Sequence, residues 1–115
     1  MTTSNRLQDL SPAEIQAKLA DRTIMLIDVR EPDEYRAENI RGALLYPLST
    51  FDPAALPLPD ACNVVFHCGS GKRSAMAVAK CLEQGIAHVA HMAGGIQAWK
   101  SAGFATASSD SAAKA

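Results

Sequence analysis

Two short stretches of the chain are apolar almost without a break: Ile24 to Val29, reading IMLIDV, and Asn63 to His67, reading NVVFH. A strand with one wet face alternates apolar and polar residues, whereas a strand covered on both faces reads as a continuous apolar run. These runs therefore predict inner strands of a parallel sheet, and parallel neighbours need crossover connections, usually helical. The helices are legible too. Ser11-Pro12-Ala13-Glu14 supplies a cap, a proline for the first helical position and a capping-box glutamate, and Ile15 and Leu19 then share a face of a helix to about Ala20. Glu31 to Ala37 reads as a short polar helix, and Gly42 to Tyr46 as a strand stopped by Pro47. Residues 48–62 hold Pro53, Pro57 and Pro59 and predict a loop with at most one helical turn. A helix from Ser74 to a terminating Gly85 puts Ala75, Val78, Ala79 and Leu82 on one buried stripe. Ile86 to Met92 reads as a further strand, and Gly94-Gly95 opens a last helix carrying Trp99.

The expected fold class is α/β: a three-layer α/β/α arrangement around a mostly parallel central sheet of about four to five strands. Its expected bounds are an N-terminal segment at 1–10, one domain at 11–105 and a mobile, small-residue tail at 106–115. A length of 115 residues suits one such domain and not two. Of the hydrophobic residues, 21 are alanine, so the bulky core must come from Val, Ile, Leu, Met and the aromatics. Eleven basic residues against twelve acidic ones provide no electrostatic footprint for nucleic acid or an anionic membrane. The opening MTTSNRLQDL lacks the apolar stretch of a signal peptide, and nothing approaches the ~20 apolar residues of a membrane span. Three cysteines are too few and too odd for a disulfide framework. A cytoplasmic, soluble domain is the expectation.

Ligands of parallel α/β sheets bind where strands end and helices begin, and one such junction is chemically distinctive. The strand at 63–67 runs straight into Cys68-Gly69-Ser70-Gly71-Lys72-Arg73 and then a helix. A thiol with a pKa of roughly 8.5 is only about 3% thiolate at neutral pH. Here Gly69 and Gly71 allow the backbone N–H groups to turn inward, the helix aims its positive end at the sulfur, and Lys72 and Arg73 add charge. A drop of about two units, roughly 2.7 kcal/mol, makes most of the thiol nucleophilic. The same donors suit an anionic substrate or a persulfide. A Walker-type phosphate loop is not matched, because Gly71-Lys72-Arg73 lacks the Gly-Lys-Ser/Thr run. The other reading of a lone Cys after a strand is a small core residue.

The pattern Cys68-x-x-Gly71-x-Arg73-Ser74 resembles the six-residue active loop of the rhodanese-like sulfurtransferases. Three further motifs carry the same resemblance: Asp28-Val29-Arg30-Glu31 with Glu34-Tyr35, Gly42-Ala43, and Gly94-Gly95-Ile96-Gln97-Ala98-Trp99 with Gly103. Together they span about residues 10–105. Where the family usually reads His-Ile-Pro before Gly-Ala, this chain reads Asn39-Ile40-Arg41. The resemblance implies sulfur transfer through a Cys68 persulfide, from a small anionic donor such as thiosulfate to a thiol, such as thioredoxin or another protein thiol, or to cyanide. It also implies substrate contacts from Gly69, Ser70, Gly71, Lys72, Arg73 and Ser74, and a loop-organising role for Asp28 and Arg30. No cofactor or metal is implied.

Two alternatives stay open at this point. Cys-dependent phosphatases and arsenate reductases place five residues between Cys and Arg, while this chain has the four from Gly69 to Lys72, and they need a general acid. A persulfide carrier with little turnover of its own is the other. Elsewhere, Cys62 and Cys81 read as structural, and Trp99 as packing for the last helix. Tyr35 reads as a core or rim residue, and Met76 as a surface contact beside the loop. His88 and His91, three apart on a strand, point to opposite faces and do not share a metal.

Overall fold

The computed structural model describes residues 7–108. Its elements alternate as expected: β1 (Gln8–Leu10), α1 (Pro12–Ala20), β2 (Met25–Asp28), α2 (Pro32–Ala37), β3 (Leu44–Leu45), β4 (Val64–His67), α3 (Lys72–Glu83), β5 (Ala90–Met92) and α4 (Gly95–Ser101). Single-turn 3-10 helices sit at Leu48–Thr50 and Pro53–Ala55. All strand pairs are parallel, in the order β1-β5-β4-β2-β3.

The two apolar runs lie side by side at the centre, with Asp28 in register with His67. Side chains alternate across the sheet. Met25, Ile27, Val64 and Phe66 face α3 and the 3-10 segment, packing with Val29, Ala77, Val78 and Cys81. Leu26 and Val65 face the opposite layer, with Ile15 of α1 and Ile96 and Trp99 of α4. Both faces are covered, which is why neither run alternates in polarity. Helix α1 opens on the capping box that its sequence announces: Glu14 N–H donates to Ser11 Oγ, and Ser11 N–H to Glu14 Oε1.

Several expectations shift. Residues 48–62, where the prolines predict at most one helical turn, hold two single 3-10 turns, the second capped by Asp52, which accepts from the Ala54 N–H. Strand β1 falls in the stretch set apart as an N-terminal segment; its three residues QDL are mostly exposed and too few to show a period. Of Ile86 to Met92 only Ala90–Met92 is strand, because Ile86 and His88 donate their N–H groups to Cys81 and Ile86 carbonyls in a turn. Helix α3 begins at Lys72, and its buried stripe is Ser74, Ala77, Val78 and Cys81 rather than Ala75, Val78, Ala79 and Leu82. Alanines set a helix's phase weakly, and here the polar Ser74 is drawn inward by its hydrogen bonds. Beyond Ser101, Phe104 packs against Trp99 with the rings tilted, Thr106 Oγ1 donates to Glu38, and Ala107 bridges Asn39. Residues 109–115 of the expected tail lie outside the described residues. Among the described residues no helix is long and apolar enough to cross a membrane.

Phe66 is fully buried at the sheet centre and meets Phe51 edge-on. Phe66→Ala is expected to lower unfolding free energy by about 3–5 kcal/mol, read from urea denaturation; a loss under about 1 kcal/mol contradicts this packing.

Candidate active site

Cys68 follows β4, and its Sγ points at the start of α3. The Gly71 N–H donates to it at 3.1 Å and the Ser74 N–H at 3.4 Å, while Ser74 Oγ lies 3.6 Å away. Gly71 is the N-cap of α3 and has no side chain to offer, so the sulfur takes the place of the missing cap. A negative charge there is stabilised by the helix terminus. Gly71 holds φ at 109°, and a Cβ would press on the Gly94 amide at 3.2 Å.

The thiol is only 1% exposed. Burial is the largest single influence on its ionisation and pushes it up. The Ser74 N–H, the Ser74 hydroxyl, the Gly71 N–H and the Ser70 N–H together outweigh burial and hold the thiol below its ordinary value. Cys81 is the contrast: burial unopposed by donors pushes that thiol up to about 11. All three cysteines are free.

The loop is aimed by α4. Ile96 N–H donates to the Cys68 carbonyl at 2.8 Å and Gln97 N–H to the Gly69 carbonyl at 3.2 Å. In a trans peptide the N–H opposes the C=O, so fixing the Gly69 carbonyl outward turns the Ser70 N–H toward the sulfur. Gly95 permits this approach; a Cβ there would lie 2.4 Å from the Cys68 carbonyl oxygen. Sequence reasoning quoted Gly94-Gly95 as a motif without seeing this job, and the doubled glycine before a helix was the available signal.

The cations are arranged differently from the sequence expectation. Arg73 forms a two-pronged pair with Glu34 of α2 at 2.7 and 3.0 Å. Glu34 is held down to about 2, first by the Arg73 hydrogen bonds, and Arg73 is raised chiefly by Glu34 with a smaller contribution from Cys68. Backbone and hydroxyl donors, more than cations, tune the thiol. Lys72 and Ser70 are exposed at the rim, and Gly69 is partly buried.

Asp28 and Arg30 form a buried pair, with Arg30 Nη2 2.8 Å from Asp28 Oδ2 and 2.6 Å from the Glu38 carbonyl. They tie the end of β2 to the end of α2, so their reach to the loop runs through Glu34. His67 closes β4 directly before Cys68. It is buried, lies 3.5 Å from Asp28 Oδ2 without a hydrogen bond at Nε2, and is driven toward the neutral form mainly by burial. The other two histidines part company: His88 Nε2 meets the Pro57 carbonyl, and His91 meets Ser74 and Asp9. Tyr35 donates to the Ala43 carbonyl, and Met76 is half exposed on α3. A cleft of about 290 Å³ near the starts of β2 and β4, lined by Thr23, Cys62, Asn63 and His88, contains none of the loop residues.

Comparison with known proteins agrees with this architecture. The family model for the rhodanese-like domain matches residues 11–102. The chain is 35% identical over 97 residues to an uncharacterised protein of Synechocystis, covering 84% of this chain and 54% of that protein. It is 32% identical over 94 residues to a sulfurtransferase of Allochromatium vinosum, covering 81% of this chain and 88% of the relative. The crystal structure of thiosulfate sulfurtransferase from Pseudomonas aeruginosa superposes with a TM-score of 0.75 at 27% identity, over 91% of this chain and 21% of that one. The chain thus spans about half the length of the Synechocystis relative and most of the Allochromatium one.

Gly95→Ala is expected to destabilise the fold by about 2 kcal/mol or more and to raise the Cys68 ionisation midpoint. Gly85→Ala, which meets nothing within 4 Å but also has positive φ, is expected to cost about 1 kcal/mol. Urea denaturation of the two proteins checks the order, and equal losses contradict the contact with α4. The Glu34–Arg73 pair adds an acid dependence. Its carboxyl is depressed from 4.5 to about 2 on folding, so the stabilisation is full above pH 4.5 and lost as pH falls through about 2. With both side chains over a third exposed it amounts to no more than about 1 kcal/mol. Glu34→Gln is expected to flatten the stability profile in that window, and an unchanged slope contradicts the pair.

Proposed function

Because this chain belongs to the rhodanese-like domain family, we propose that it is a sulfurtransferase that carries sulfane sulfur as a Cys68 persulfide. The observation that carries the reading is the pair of amides on Cys68 Sγ at the start of α3. They stabilise a thiolate before transfer and the persulfide anion after it. In the first step the thiolate attacks the outer sulfur of thiosulfate; a new S–S bond forms, the old one breaks, and its electron pair leaves with sulfite. In the second step a thiol acceptor, such as thioredoxin, or cyanide attacks the outer sulfur of the persulfide and restores the Cys68 thiolate. The names borne by the Allochromatium and Pseudomonas relatives support this chemistry.

The loop residues divide the work. Gly71 and Ser74 hold the sulfur, Lys72 at the exposed rim attracts the anionic donor, and Arg73 anchors the loop to α2 through Glu34 while adding positive charge. Ser70 offers its N–H inward, and Gly69, whose φ is not in the left-handed region that Gly71 adopts, lies beside the Arg73 guanidinium, which a Cβ would meet at 3.3 Å. The buried thiol sets a requirement: the rim at Ser70 and Lys72 must part enough to admit one sulfur atom. Sulfite leaves without protonation, so no general acid is needed. A phosphatase needs one, and Glu34, committed to Arg73 as a strongly acidic carboxyl, is unfit for it. The three free thiols suit a reducing compartment such as the cytoplasm.

Treatment with thiosulfate is expected to add one sulfur, about 32 Da, to the intact protein, removable by cyanide. Cys68→Ser is expected to abolish the adduct while Cys62→Ser retains it. A persistent adduct in Cys68→Ser contradicts the assignment.

A further inference from the structure

Behind the thiol lies a chain of polar side chains that sulfur transfer from a cradled thiolate does not use. Ser74 Oγ lies 2.8 Å from His91 Nδ1, and His91 Nε2 lies 2.7 Å from Asp9 Oδ1. The sheet builds it: parallel pairing of β1 with β5 sets Asp9 directly beside His91. Ser74 and His91 are buried, whereas the Asp9 side chain is 67% exposed. We propose that Asp9, His91 and Ser74 form a proton relay that takes the thiol proton of Cys68, an inference resting on the reading of Cys68 as the nucleophile.

Donor and acceptor arithmetic gives the relay its direction. The Asp9 carboxylate can only accept, so His91 carries a proton on Nε2. In a neutral ring Nδ1 is then an acceptor, and the Ser74 hydroxyl donates to it. The Gly71 carbonyl, 3.1 Å from the same hydroxyl, already accepts the Ala75 N–H at 3.2 Å and is the longer alternative. With its proton directed at His91, Ser74 Oγ is left to accept from the Cys68 S–H. Transfer shifts each proton by one bond: the S–H bond breaks, Ser74 gains that proton and gives its own to His91 Nδ1. The products are a Cys68 thiolate now receiving a hydrogen bond from Ser74, an unchanged hydroxyl, and an imidazolium paired with the Asp9 carboxylate. Charge and protons balance, and the proton ends at a site open to solvent through Asp9. Among the described residues, the titratable groups facing the imidazole are Asp9 from β1 and, through Ser74 of α3, Cys68 from the end of β4. His91 and Asp9 act on the sulfur through Ser74 and are positioning residues.

The test is the pH titration of thiolate absorbance near 240 nm, taken as the difference between each protein and its Cys68→Ser counterpart. His91→Gln is expected to move the Cys68 midpoint up by about one pH unit or more, and Asp9→Asn to move it up by less. Asp9 sits on an exposed edge, so Asp9→Asn decides alone if His91→Gln loses its native near-UV circular dichroism. Midpoints that coincide with the unsubstituted protein overturn the relay. The titration needs no sulfur donor, so the two readings fail separately: unmoved midpoints with a Cys68 adduct defeat the relay alone, and no adduct in the unsubstituted protein defeats the sulfurtransferase reading.

Discussion

The orientation of two peptide planes governs this site. The carbonyls of Cys68 and Gly69 are taken by the Ile96 and Gln97 N–H groups at the start of α4, and the Ser70 N–H, opposite the Gly69 carbonyl in its peptide plane, faces the sulfur as a consequence. Helix termini leave unpaired N–H donors, and here two termini are used at once. That of α4 binds the outside of the loop, and that of α3 binds the Cys68 sulfur within it. The glycines at 71, 94 and 95 all have positive φ and all sit in this junction. At 71 and 95 a side chain would meet the facing backbone, and at 94 it would meet Ala98.

A second set of contacts keeps the loop from drifting. Asp28 and Arg30 lock the end of β2 to the Glu38 carbonyl at the end of α2. Glu34 on the same helix then grips Arg73 in the first turn of α3. A buried Asp–Arg pair contributes little net stability once desolvation is counted, but breaking it is costly because one buried charge is left alone. Its value here is positional. It sets where α2 lies, and α2 sets where Arg73 can reach. The guanidinium is therefore a strut as well as a charge, which explains why hydrogen bonds outrank cations in tuning the thiol.

Much of this was legible in the residues. The two unbroken apolar runs led to β2 and β4 as inner parallel strands, and Ser11-Pro12-Ala13-Glu14 to the start of α1. Cys68 followed by two nearby glycines and a helix marked the junction where backbone N–H groups converge on a thiol. What was not legible depends on contacts between distant segments. Strand β1 is three residues long and exists because β5 is there to pair with it. Arg73 read as a free cation because nothing in its neighbourhood announces a carboxylate 39 residues away. His91 looked like an isolated strand histidine, since its partners come from α3 and β1. Alanine at 75, 77 and 79 left the phase of α3 ambiguous, and Ser74 resolved it by turning toward Cys68 and His91.

The central claim is that the ring of amides around Cys68 is built to hold one additional sulfur. A high-resolution crystal structure of the protein after exposure to thiosulfate tests it most directly. The account predicts density for a single atom bonded to Cys68 Sγ, with the loop N–H groups within about 3–3.5 Å of the two sulfurs and the α4 contacts to the Cys68 and Gly69 carbonyls intact. An unaltered Cys68 with the added sulfur on Cys62, or a loop whose amides turn away once the sulfur is bound, would contradict it.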